Sequence, residues 1–148
     1  MKKIFLLFAT SLLFMMNCKD DAAPEPLSIE GNWKVLKEVK TIVLNGGQPD
    51  TDVFFYTDCE AMSRYLFNSD NSGKVTKYGP LNGGCQLLSE DGMTYQYDSK
   101  TGEIVIKYIA TKDEGKVMDL TDKTMNLKLE IIKPSIYESH TYTLQKVN

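Results

Sequence analysis

The sequence is poor in the residues that carry most nucleic-acid, metal and nucleotide chemistry. Its 148 residues include one arginine, Arg64, one histidine, His140, and one tryptophan, Trp33. With a formal net charge of −3 and no basic run, it offers no face able to neutralise a phosphate backbone, so nucleic acid is excluded as a partner. A lone histidine makes no metal-ligand set, and no glycine-rich loop is present to cradle nucleotide phosphates, so neither a metal nor a cofactor is expected. Long apolar runs are also missing. The longest spans Ile4 to Met16, a helix of roughly 20 Å against a hydrocarbon core of about 30 Å, so a permanent membrane span is the weaker reading. What remains, 42% hydrophobic and 25% charged residues, suffices for one core and one domain.

Lys2 and Lys3 before that apolar run form the n-region and h-region of a secretory signal. No small-x-small cleavage site follows; Met15, Met16, Asn17 and Cys18 come next, and this stretch resembles a bacterial lipoprotein lipobox. The resemblance implies cleavage after residue 17 and acylation of Cys18, with palmitate among the attached chains. Cys18, Lys19, Asp20 and Asp21 also resemble the export signal of Bacteroidetes-type lipoproteins, which implies an outer-membrane anchor facing the cell surface. Buried methylenes at about 0.8 kcal/mol each make two or three chains an effectively permanent anchor. Residues 18–27, with Ala22 to Pro26, then read as a solvated, semi-stiff tether to a body spanning residues 28–148.

Once lipid takes Cys18, Cys59 and Cys85 remain as an even pair in an oxidising compartment, where a disulfide is the default. On the chain-entropy model it stabilises the fold by roughly 3 to 4 kcal/mol.

From Ile29 onward, period-two alternation recurs between turn signals, and no segment sustains a helical period. Trp33, Val35 and Val39 fall on one face of a first strand; Tyr65 and Phe67 share a face in a second. A third strand covers Lys74 to Tyr78, and Pro80 with Gly83-Gly84 reads as a loop carrying Cys85. Tyr95 and Tyr97 mark a fourth, joined through Asp98 to Gly102 to a fifth with Ile104, Ile106 and Tyr108. After a turn at Asp113-Glu114-Gly115 come a short strand to Leu120, the stripe Met125, Leu127, Leu129 and Ile131, and a last strand with Tyr142 and Leu144. Thr57 to Ser63 is the one place for a short helix. About eight antiparallel strands admit a closed up-and-down barrel or a two-sheet sandwich.

Gly31-Asn32-Trp33 resembles the Gly-x-Trp signature of lipocalins, in which the tryptophan plugs the closed end of the barrel. Its place after a tether, the two cysteines, Phe67 to Gly73 and the closing Tyr142-Thr143-Leu144-Gln145-Lys146 together resemble the lipocalin-like domains of Bacteroidetes lipoproteins. The resemblance covers Ser28 to Asn148 and implies an all-β, eight-stranded antiparallel barrel that binds one small ligand. Two features depart from it: no tyrosine follows Thr121-Asp122, and Lys146 stands where a late arginine covers the tryptophan.

The strand tyrosines are the candidate site. Tyr65, Tyr95, Tyr108 and Tyr142, with Leu127, line a cavity for a small apolar or amphipathic ligand if they face inward; otherwise they are core and rim of a filled barrel. In the second case the protein is an interaction module that meets another envelope protein or a glycan. Catalysis is not expected. His140 reads as a surface or turn-adjacent residue, and the pairs Glu90-Asp91 and Asp113-Glu114 as turn solvation. Asn68, Asp70, Ser72 and Gly73 imitate a calcium loop, but its twelfth position is Gly79 instead of a glutamate, and a hairpin turn accounts for them. The expected partners are thus the membrane, through the lipid anchor, and a small hydrophobic ligand, with the chain a monomer.

Overall fold

The computed structural model describes residues 27–147, so the signal segment, Cys18 and the tether up to residue 26 lie outside the described residues. Alternation resolves into nine antiparallel strands: β1 (Gly31–Leu44), β2 (Asp50–Phe55), β3 (Arg64–Phe67), β4 (Ser72–Leu81), β5 (Gly84–Tyr97), β6 (Glu103–Lys107), β7 (Lys112–Met118), β8 (Thr124–Lys133) and β9 (Ile136–Val147). Each pairs with the next from β3 to β9. β1 closes the ring, bonding β9 along one edge and β3 along the start of the other. The result is a closed eight-stranded barrel, which leaves no long edge open within the ring. β2 is the extra strand; it continues the β3 side of β1, from Lys37 opposite Phe55 to Ile42 opposite Asp50. Among the described residues the only helix is one 3-10 turn, Glu60–Met62, inside the segment where a short helix was expected.

The closed end holds the core. Trp33, Phe67, Ile104, Ile106, Leu127 and Leu144 are fully buried there, with Ile29 beneath them. The indole Nε1–H of Trp33 donates to the Ile29 carbonyl at 2.7 Å, so the buried donor is satisfied where the chain enters the barrel. Lys146 brings its ammonium to 5.3 Å from the indole centroid, the place the resemblance gives to an arginine.

Three expectations need correction. Val39 does not share the face of Trp33 and Val35. The β1–β9 register slips between Val35 and Lys37, so Leu36 is an extra residue and every later β1 side chain changes face. Val39 then pairs with half-exposed Val53 on the outside, while Glu38 and Lys40 turn inward opposite Tyr142 and His140. The loop expected from Pro80 to Cys85 is instead a tight hairpin. Leu81 pairs with Gly84 across Asn82 and Gly83, whose φ of 52° and 79° are those of a type I′ turn, and Cys85 lies in β5. Pro80 is tolerated because β4 has lost its β3 partner above Thr76. Finally, Asp113, Glu114 and Gly115 lie within β7, paired to β6, and Glu90 and Asp91 lie within β5; both acidic pairs are strand residues, not turn solvation.

Cys59 and Cys85 are disulfide-bonded with Cα atoms 5.4 Å apart. The bond ties the segment between β2 and β3 to the β4–β5 hairpin, across the stretch of wall where β3 is too short to bridge β1 and β4.

Candidate functional site

Opposite the Trp33 end, the barrel widens into a mouth. Its floor is apolar: Tyr65 is 5% exposed, Val75 3% and Leu129 8%, and the rings of Tyr65 and Tyr142 lie 5.7 Å apart. Above the floor is a cavity of about 450 Å³, bounded by Tyr65, Val75, Tyr108, Leu129 and Tyr142, with Lys77, Asp91 and Asp113 among its polar groups. A second hollow of about 380 Å³ shares Tyr65, Val75, Lys77 and Tyr142 and reaches Tyr56, Glu38 and His140. The four shared residues make them two lobes of one mouth, within the size range of small-molecule sites.

Strand geometry sets this lining. Ile104 and Ile106 face the core on β6, and the same alternation carries Tyr108 into the cavity just past the strand end. Asp113 faces in because it pairs with Ile106, and Asp91 because it pairs with Val75. The phenols of Tyr65, Tyr108 and Tyr142 are pushed up, first by burial and then by neighbouring charge, so all three stay protonated at neutral pH and can both donate and accept.

The second lobe holds a polar network created by the β1 bulge. His140 Nδ1 lies 2.6 Å from Glu38 Oε1, and His140 Nε2 lies 3.0 Å from Glu138 Oε1. Lys40 Nζ reaches Glu138 at 2.9 Å, and the Tyr56 hydroxyl donates to Glu38 at 3.0 Å. The Glu138 carboxyl is held below its usual range by Lys40 first and His140 second. His140 is therefore no turn residue: it stands inside β9, stacked at 6.3 Å on Tyr142. Its position was readable, because His140, Tyr142 and Leu144 share one parity. Its only side-chain hydrogen-bond partners among the described residues are the two carboxylates, and the buried Ser63 hydroxyl is occupied by the Tyr78 N–H at 3.0 Å. This arrangement fixes side chains around a cavity.

Of the five expected lining residues, Tyr65, Tyr108 and Tyr142 meet in the mouth. Tyr95 lies at the closed end, its ring edge-on to Phe67 at 5.0 Å and its hydroxyl donating to the Asn68 carbonyl at 2.7 Å. Leu127 is fully buried in the core and does not border the cavity. Lys77, to which the sequence assigned no role, and Asp91 and Asp113, read there as turn solvation, are charged groups on inward parity at the cavity. The Asn68–Gly73 segment is the β3–β4 turn, in which Asp70 accepts from the Ser72 N–H at 2.9 Å and from its hydroxyl at 2.6 Å.

A family model described as the lipocalin-like domain matches residues 29–127. Similar solved structures include the bovine odorant-binding protein as a deswapped triple mutant, 13% identical, covering 79% of this chain and 72% of that one with a TM-score of 0.45. The complex of bovine odorant-binding protein with undecanal is 14% identical over 80% of this chain and 70% of that one, TM-score 0.46. Odorant-binding protein OBP1 is 12% identical over 84% and 74%, TM-score 0.45. No curated protein matches the chain.

Proposed function

The chain belongs to the lipocalin-like domain family, and from that premise we propose that it is a lipid-anchored binding protein of the outer membrane that holds one small apolar or amphipathic ligand in the barrel mouth. The observation that carries the binding half is the cavity of about 450 Å³ over a buried floor of Tyr65, Val75 and Leu129. A filled barrel of eight strands leaves no such space. The anchoring half is supported by the lipobox-like residues ending in Cys18 and the acidic residues after it. Native mass spectrometry of the protein purified from its own host tests the binding: a retained small molecule is expected, and a bare mass counts against it. Labelled palmitate tests the anchor: incorporation is expected in the wild type and not in Cys18→Ala.

One observation favours a second reading, a non-catalytic interaction module. Large apolar side chains stand exposed around the open end and along β2, with Phe55 75% and Ile132 77% exposed. A bare mass together with co-purification of an envelope protein or glycan, lost on Phe55→Ser and Ile132→Ser substitution, would move the assignment there.

A further inference from the structure

The charges of the mouth name the chemistry of the ligand it suits. Glu38, Glu60, Glu90, Asp91 and Asp113 border its two lobes, against the ammonium group of Lys77, with Lys40 in a neighbouring hollow beside Glu38. Several of these are already matched. Lys40 is taken by Glu138, Glu38 by Tyr56 and His140, and Glu90 by Lys74 at 3.1 Å on the outside. No ion pair among the described residues engages Asp91 or Asp113, and both sit on the cavity side of their strands. Tyr65, Tyr108 and Tyr142 border the same cavity, and tyrosine rings attract cations through their quadrupole. The carboxylates also reach those rings: beyond the larger effect of burial, the Asp113 charge opposes ionisation of Tyr65, Tyr108 and Tyr142 alike. An anionic head group would enter against this field with Lys77 alone to meet it.

We infer that the mouth selects a cationic amphiphile, an organic ammonium whose apolar part lies on Tyr65, Val75, Leu129 and Tyr142 and whose charge meets Asp91 and Asp113. This rests on the ligand-binding reading above and adds the charge of the ligand to it.

Calorimetric titration with decyltrimethylammonium, decanol and decanoate, below their micelle concentrations and at low salt, tests it. The three probes share a tail and differ in the head. The ammonium is expected to bind about tenfold more tightly than decanol, with decanoate weakest, a ratio in keeping with one cation–π contact and one or two partly exposed charge contacts. Asp91→Asn with Asp113→Asn should bring the ammonium to the affinity of decanol and leave decanol unchanged. If the double variant does not fold, judged by circular dichroism, Asp91→Asn alone should give part of the same loss. Equal binding of all three probes, or decanoate binding best and losing affinity in Lys77→Met, overturns the inference while ligand binding stands. Failure of every probe to bind removes both.

Discussion

Trp33 has two tasks at the closed end, filling the space under the core and satisfying the Ile29 carbonyl. They are separable by substitution. Trp33→Ala should cost about 3 to 5 kcal/mol in urea unfolding, because the cavity left by an indole does not collapse. Trp33→Phe keeps most of the apolar volume and should cost about 1 to 3 kcal/mol, the penalty of leaving a buried acceptor without its donor. Glu138 offers a second test. Lys40 and His140 favour its charged form, so its folded pKa is lowered, and the stability it contributes is present above the ordinary glutamate value and lost as pH falls through the lowered one. A carboxyl NMR titration should place its midpoint below the usual range in the wild type and move it upward in Lys40→Met. The closed-end roles rest on a signature that is visible in sequence. The Glu138 network is not visible there, because it joins β1 to β9 from opposite ends of the chain.

At the level of the strand, legibility follows burial. Met125, Leu127 and Leu129 announce β8 because one face is packed and the other wet, and the Asp98–Gly102 loop announces its hairpin through Gly102 at φ 76°. β2 announces nothing: all six residues are exposed, so no pattern of alternation is imposed on them. β1 misleads, because the bulge at Leu36 adds one residue without any mark in composition and reverses the meaning of every position after it. The reversal predicts unequal costs for two valines that sequence puts on one face. Val35→Ala should cost about 1.5 to 3 kcal/mol, whereas Val39→Ala should stay under about 1 kcal/mol, both read from denaturant midpoints. The mouth depends on the same slip, since a regular β1 would point Val39 inward and send Glu38 and Lys40 to solvent.

For the molecule as a whole, the barrel was anticipated, whereas the charged lining of its mouth was not; amphipathic patterning cannot tell an inward carboxylate at an open end from one in water. The buried phenols give a global test. Tyr56, Tyr65, Tyr108 and Tyr142 have raised folded pKa values, chiefly through burial, so the stability they contribute is present below about pH 10 and declines as pH rises beyond it. Spectrophotometric titration should show the exposed tyrosines ionising first and these four only together with unfolding. The Cys59–Cys85 bond is the second global element. Its 26-residue separation predicts a loss of about 3 to 4 kcal/mol in Cys59→Ser with Cys85→Ser, and faster proteolysis between residues 56 and 63.

Asn32 lies directly opposite Val147, so the first and last strands run side by side and both leave the barrel beneath the tryptophan. A short peptide splicing those neighbours would permit circular permutation, with new ends cut at Asn45–Gly47 or Asn82–Gly83. For the same reason a linker joined just before β1 or just after β9 would hold the molecule to a bead, a partner domain or a sensor chip with its opening turned outward.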